Sequence, residues 1–218
     1  MKKIYILFLA FALVIAGANA QELRVGIKGG PSLATEVFDD YDGNQMTLGY
    51  HFGAYVEMLL TDQFSVQPEV LFSNQGSRFE DYEDPSYELW DDRHITNYLN
   101  IPVVAKFYPV KGFNIHAGPQ IGFLLSAKNT YSEWTLETDQ DLSYDEDIKE
   151  HFKNLDVGVV MGLGYEHESG LSATARYVLG ISDINDYQGN SEFDYDLTST
   201  DKIRNQVLQV SLGYAFLR

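Results

Sequence analysis

Residues 113–127, "FNIHAGPQIGFLLSA", decide the fold class of this chain. Apolar side chains occupy the odd positions of the stretch, and polar or small residues occupy nearly all of the even ones. A period of two is typical of a β-strand whose two faces meet different surroundings. The apolar face meets either lipid or a protein core, and the other strands of the chain distinguish these two possibilities.

The same alternation recurs in eight segments, at roughly 22–33, 47–59, 64–77, 97–108, 113–127, 154–166, 171–182 and 205–217. The second, fourth and sixth segments are followed by short connections, and the other connections are longer. Alternate connections of a meander lie at opposite ends, so the short turns share one end and the long loops the other. Outer-membrane barrels have this asymmetry. The sequence therefore predicts an all-β fold, an eight-stranded antiparallel up-and-down transmembrane β-barrel.

Glycines identify the face that points inward. They recur on the polar face of the strands, as at Gly118, Gly122, Gly158 and Gly162. Glycine weakens a strand that faces solvent, but it suits the crowded interior of a narrow barrel. We therefore expect the polar face to line the lumen and the apolar face to contact lipid.

The first twenty residues resemble an export signal. Lys2 and Lys3 precede an apolar run from Ile4 to Ala16, and "ANA" ends at Ala20. This order predicts a secretory signal peptide over 1–20 and a barrel domain over 21–218. Later residues contain no apolar stretch long enough for a membrane-spanning helix, so we expect membrane insertion as a barrel.

The chain is strongly acidic, with a formal net charge of −17 and no cysteine. This charge argues against a nucleic-acid partner. Most of the 32 acidic residues fall in the four long connections. The sequence therefore predicts four acidic extracellular loops, short periplasmic turns and periplasmic chain termini in the outer membrane.

Four ionisable residues fall on the face expected to line the lumen. They are Glu57, Glu69, Lys106 and Arg176, and all four lie in the half nearer the short turns. Unpaired charges buried there would each cost several kcal/mol. We therefore expect an ion-pair network across the lumen, with hydration by lumen water as the alternative.

One acidic stretch, "DQDLSYDEDIKE", resembles a calcium-binding loop in its spacing. Its acidic positions include Asp139, Asp141, Asp145, Asp147 and Glu150. Tyr144 stands where such a loop needs glycine, and no flanking helices are evident, so coincidence is the favoured interpretation. Ca²⁺ or Mg²⁺ could still bridge the loops to one another or to lipopolysaccharide phosphates. No other cofactor is indicated.

Enzymatic activity is not expected from the pattern of histidines. A lipid hydrolase acting on the outer face of the barrel would need a His, a Ser and an acid that converge there. No outward strand position supplies such a set.

Several strand segments resemble a known family. "GIKGGPSLA", "YLNIPVVAKFYP", "NIHAGPQIGFLLSAK" and "QVSLGYAF" are similar to the porin-family, PorT-like outer-membrane barrel proteins of the Bacteroidota. The resemblance implies an eight-stranded barrel, and most members of that family have no established activity. PorT itself takes part in type IX secretion, which makes a related role a remote alternative.

The last strand resembles the signal read by the barrel assembly machinery, through Ser211, Gly213 and Phe216. Outer-membrane lipid, lipopolysaccharide and that machinery are therefore the expected partners, and any further extracellular or periplasmic partner is unidentified. We expect a structural or surface-interaction role through the acidic loops. The alternative is a narrow channel for small ions or solutes, and a soluble periplasmic barrel is less favoured.

Overall fold

The protein consists almost entirely of antiparallel β-strands. The computed structural model describes residues 22–38, 44–79, 89–135, 140–186 and 202–217. In these ranges no helix has the length and hydropathy that crossing a membrane requires. The described residues contain a short 3-10 turn at Lys149–His151 and nine strands: β1 Leu23–Phe38, β2 Asn44–Leu59, β3 Phe64–Phe79, β4 Leu89–Val110, β5 Phe113–Thr135, β6 Gln140–Asp147, β7 Leu155–Glu166, β8 Leu171–Gly180 and β9 Ile203–Leu217.

Eight of the strands close into a barrel. Around the ring the order is β1, β2, β3, β4, β5, β7, β8 and β9, and every neighbouring pair is antiparallel. The first and last strands close the ring through a long ladder, in which Ala34 lies opposite Val207. Closure removes the open sheet edges that a bilayer would leave without hydrogen bonds. The predicted eight-stranded antiparallel barrel is confirmed.

Strand β6 lies outside the ring, in the third long connection, where the sequence predicts a loop. The barrel strand β7 pairs with β5 only as far as Phe123, but β5 continues to Thr135. From Lys128 onward, β6 takes over as the partner of β5 and satisfies its backbone groups. The acidic stretch is therefore largely a strand of a hairpin that extends beyond the barrel. On the other side, β4 is also longer than predicted and pairs with this extension from Leu89.

The two faces of each strand have the surroundings that the alternation predicts. On β5, Ile115 and Ile121 are 49% and 44% exposed on the outer surface, whereas His116 and Gln120 are buried inside. On β7, Leu163 is 50% exposed beside the buried Gly164. A continuous exposed apolar surface of this kind is typical of contact with lipid.

Pro119 does not produce the bulge that its missing N–H suggests. The ladder between β5 and β7 passes through Pro119, opposite Val159, without a change of register. In the ladder between β4 and β5, the pairing stops after Ala117 and resumes at Gln120 in the same register. The strand therefore accommodates the proline through an interruption of one ladder and without a bulge.

Two glycines shape the short turns. Gly112 and Gly170 have φ angles of 83° and 92°, in the left-handed region that favours glycine. They lie between β4 and β5 and between β7 and β8, at the end of the barrel that also holds the turn from Leu60 to Gln63. We call this end the turn end, and the opposite end the loop end.

The exposed apolar surface predicts that a charged side chain introduced there lowers the free energy of unfolding by an amount that depends on its position. Ile121→Lys, in the middle of β5, should destabilise the barrel by about 2–4 kcal/mol in lipid vesicles. Leu60→Lys, at an equally exposed residue of a turn, should cost about 0–1 kcal/mol because it lies at the interface. Denaturant titration of both variants measures the difference. Equal costs would contradict a lipid contact at Ile121.

Candidate functional site

Glycines make room for the largest side chains of the lumen. Gly162 on β7 lies directly opposite Arg176 on β8. A Cβ atom at Gly162 would stand 2.6 Å from the Cβ of Arg176, which is closer than real side chains approach. Gly26 has a similar place under the ring of Tyr55, at 2.5 Å. The small residues therefore allow long polar side chains to fill the interior.

The middle of the lumen holds a buried set of charged and polar side chains that we call the central cluster: Lys28, Gln67, Glu69, Arg176 and Gln209. The Oε2 atom of Glu69 accepts a hydrogen bond of 2.9 Å from Arg176 Nη1, and its Oε1 atom accepts one of 3.1 Å from Lys28 Nζ. Glu69 also accepts from Gln67, and Arg176 donates through Nε to Gln209. Strands β3 and β8 stand opposite each other in the ring, so the pair of Glu69 and Arg176 spans the lumen.

A second charged set, the turn-end cluster, lies closer to the short turns and consists of Arg24, Glu57, Lys106, Tyr108 and Glu166. Lys106 Nζ is 2.6 Å from Glu166 Oε1 and 3.4 Å from Glu57 Oε1. The Tyr108 hydroxyl lies 2.5 Å from Glu57 and 2.9 Å from Glu166. Arg24 adds a second cation, 3.1 Å from Glu166. Arg24 also binds Glu22, at 3.2 Å, so three carboxylates surround the two cations.

The turn-end cluster forms the inner wall of an open cavity of about 940 Å³. Its lining combines Arg24, Glu57, Tyr108 and Glu166 with residues of the turns, including Lys111 and Glu168. Lys111 donates to Glu168, and this hydrogen bond lowers the pKa of the Glu168 carboxyl. The cavity therefore offers a polar, mixed-charge entrance to the barrel at the turn end.

Two groups of buried apolar side chains lie in the lumen on the loop-end side of the central cluster. One contact group joins Ala34, Val104, Val160, Val178 and Val207 from five strands. A second group includes Tyr98 and Ile203 of the strands together with Phe152 and Ile184 of the adjoining connections. The backbones at Phe152 and Asn185 pair with each other. Within the described residues, the lumen toward the loop end thus combines these apolar groups with buried polar side chains, which include the pair of Glu36 and His94.

The sequence also matches a known protein family. The family model for the outer membrane protein beta-barrel domain matches residues 19–186. The chain belongs to this family. The protein is therefore an outer-membrane β-barrel, which agrees with the predicted membrane location.

Several small outer-membrane barrels of solved structure are similar to this outer-membrane barrel. The attachment invasion locus protein Ail of Yersinia pestis is 13% identical, with 89% of this chain and 99% of that chain covered and a TM-score of 0.43. Neisserial surface protein A is 14% identical, with coverages of 89% and 97% and a TM-score of 0.43. OprG of Pseudomonas aeruginosa is 12% identical, with coverages of 91% and 98% and a TM-score of 0.44. No curated protein matches the chain.

The structure places the four predicted lumen residues of this outer-membrane barrel in two clusters. Glu69 and Arg176 bind each other in the central cluster, and Glu57 and Lys106 bind each other in the turn-end cluster. The other ionisable members of these clusters were not expected from the sequence: Lys28, Arg24, Tyr108 and Glu166. Lys28 could have been found from its position between Gly26 and Gly30 on the inward face of β1.

The acidic stretch of the third connection has a different arrangement from a calcium loop. Asp145 lies beside Thr130 and Lys128 on β5, and Asp147 accepts the backbone N–H of Lys149. Asp139 lies outside the described residues, as does the predicted signal peptide. In the part that is described, no three His, Asp or Glu side chains lie close enough to hold a metal ion. Cation binding by the loops stays a prediction.

The central cluster predicts a large loss of stability when its carboxylate is removed. Glu69→Ala should destabilise the barrel by about 3–5 kcal/mol, because Arg176 and Lys28 would remain buried without a counter-charge. Glu168→Ala is the matched control, since it removes a carboxylate whose partner Lys111 is exposed, and it should leave the thermal midpoint unchanged. Thermal unfolding in detergent measures both. An unchanged midpoint for Glu69→Ala would contradict the importance of the cluster.

Proposed function

We propose that this outer-membrane barrel has a structural or surface-interaction role and that it does not form a diffusion pore. The observation that carries the proposal is the filled lumen. Eight strands enclose a space that side chains can fill completely. In this protein, buried ion pairs occupy the middle, and apolar groups lie toward the loop end beside the buried pair of Glu36 and His94.

Passage of an ion would meet two different obstacles. In the middle, an ion must disrupt the contacts of Glu69 with Arg176 and Lys28, whose side chains are at most 5% exposed. Beyond them lies the group of Val104, Val160, Val178 and Val207. These side chains have no polar atom that could replace the water molecules around the ion. The described side chains therefore favour a closed barrel over a narrow channel.

The long acidic connections supply the surface for interaction in this proposal. In outer-membrane barrels, short turns face the periplasm and long loops face the exterior. The turn end of this barrel would then be periplasmic, with both termini, and the acidic residues of the long connections would lie outside. Lipopolysaccharide, its bound divalent cations and other surface molecules are the partners that such loops would meet. Insertion would depend on the barrel assembly machinery.

The finer assignment to PorT-like proteins rests on the resemblance of the strand segments. A contribution to type IX secretion would follow from that resemblance, and the lumen supplies no independent support for it. We therefore place the structural or interaction role first.

The positions of the histidines support a protein without enzymatic activity. His51 and Ser211 form the pair that most resembles a nucleophile and its base, with 2.6 Å between Nε2 and Oγ. Both residues are only 1% exposed inside the barrel, so neither lipid nor a soluble substrate reaches them. His167 and Ser169 also bind each other, but this contact lies within a short turn.

The closed lumen predicts a silent protein in planar bilayers. Inserted barrels should show no steady single-channel steps, because the central cluster and the apolar groups leave no path. Phe152→Ala should be silent as well, since it opens only the loop end. A general diffusion porin inserted under the same conditions provides the positive control. Steady steps from the native barrel would instead support the channel.

The proposed orientation can be tested by labelling, since the chain contains no cysteine. Asn190→Cys places a thiol in the fourth long connection, and Ser169→Cys places one in a short turn. A membrane-impermeant maleimide applied to intact cells should label the first variant and not the second. After the outer membrane is opened, both should react. Labelling of Ser169→Cys alone in intact cells would show that the barrel has the opposite orientation, with its short turns outside the cell.

A further inference from the structure

A row of polar side chains crosses the outer face of strands β3, β4 and β5. Asn74 Nδ2 donates to Asn97 Oδ1 at 2.9 Å, and Asn97 Nδ2 donates to Ser126 Oγ at the same distance. Asn97 stands between the buried Thr96 and Tyr98, so its side chain points outward. These groups have more donors and acceptors than the two bonds use, and acyl chains offer no partner for them. We call Asn74, Asn97 and Ser126 the amide ladder.

The amide ladder lies at the upper edge of the apolar band. Phe64 and Phe107 lie opposite each other near the short turns, and Asn74 and Asn97 each lie ten residues further along the same strands. Ten residues of a strand that is tilted by about 40° rise about 25 Å, which is the height of the apolar band in such barrels. The ladder therefore lies where acyl chains give way to lipid headgroups.

Other strands are apolar at the same distance from the turn end. Leu155 lies ten residues from Tyr165 along β7, and Ile181 lies ten residues from Leu171, just after β8. The side chains of Leu155 and Ile181 are 48% and 58% exposed. A polar layer that only followed the membrane surface would continue across these strands as well. The amide ladder therefore indicates a specific occupant on the outer face of β3, β4 and β5.

Two arginines lie side by side above the ladder. Arg78 on β3 is directly opposite Arg93 on β4, and both side chains are exposed. On the outer face of β3, β4 and β5, the side chains that the structure describes include no acid, and Lys128 is a third cation, 3.6 Å from Asp145 of β6. Like charges in opposite positions repel each other, and an anion beside both relieves the repulsion. A guanidinium has five N–H donors, so each arginine can bind a phosphate while it keeps its contacts within the protein.

The outer face of these three strands thus presents three kinds of chemistry in order of height. Apolar side chains such as Phe72 and Leu99 come first, the amide ladder follows, and the guanidinium groups lie above it. Acyl chains, a sugar and a phosphate follow one another in the same order in a phosphorylated glycolipid. We propose that this face binds one phosphorylated glycolipid of the lipid A class, with its phosphate on Arg78 and Arg93 and its sugar on the amide ladder.

The site rests on the orientation proposed above, which places the loop end in the outer leaflet. It does not depend on the role of the acidic loops. Binding in detergent micelles can be measured whichever way the barrel lies in the cell. A barrel that is silent in bilayers and has its long loops outside, but shows no preference for lipid A, would keep the proposed function and overturn this site alone.

Native mass spectrometry of the folded barrel in micelles tests the site without any variant. The native barrel should bind one molecule of lipid A about tenfold more tightly than lipid A whose phosphate groups have been removed, because a hydrogen bond to a charged group contributes that much. Phosphatidylglycerol has a phosphate but no sugar on that phosphate, and it should also bind more weakly than lipid A. Equal binding of the three lipids would overturn the proposal.

Variants assign the two parts of the glycolipid to the two sets of side chains. Arg78→Gln combined with Arg93→Gln should weaken the binding of lipid A about tenfold and should abolish the preference for its phosphorylated form. Asn97→Leu interrupts the ladder and should weaken both forms by the same factor. The thermal midpoint of each variant shows whether it is folded.

A cation on the other side of the ring provides the matched control. Lys202 is exposed at the loop end, immediately before β9, which stands opposite β4 in the ring. Lys202→Gln should keep the native affinity for lipid A and the preference for its phosphate. If the double arginine variant binds lipid A as Lys202→Gln does, the phosphate does not lie on Arg78 and Arg93, and the proposal is overturned.

Discussion

Closing eight strands into a ring leaves an interior that the inward side chains themselves must fill. The arrangement of the side chains in the lumen follows from that constraint. Where a long side chain crosses the lumen, its neighbour must be small, as Gly162 is beside Arg176. Where a charge is buried, its partner must come from another strand of the ring, as Glu69 does for Arg176. The outer face is free of these demands and is apolar because lipid surrounds it.

The fold was predictable because its signals are local. A period of two, the alternation of short and long connections, and the enrichment of glycine on one face are all visible within single segments. They predicted the eight strands of the ring and the orientation of residues such as His116 and Ile121. They also placed Glu69 and Arg176 on the inner face.

The arrangement of the lumen was less predictable because its contacts join distant parts of the chain. Glu166 ends its strand beside a turn, and only closure of the ring brings it to Lys106 and Arg24. Strand β6 was also missed, since an acidic sequence has low strand propensity and forms a strand here only because β5 lacks another partner. At Pro119, the interrupted ladder is the one that the missing N–H would face, and the sequence does not show which neighbouring strand that is.

The pair of Glu69 and Arg176 also has a consequence for how the ring closes. Sliding one strand by two residues keeps its apolar side chains outward, so lipid alone does not discriminate against that error. The same slip would carry Glu69 away from Arg176 and Lys28 and bury three ions without partners. The two residues lie 107 positions apart, on opposite sides of the ring. The contact between them therefore stabilises the correct strand register relative to registers that are shifted by two residues.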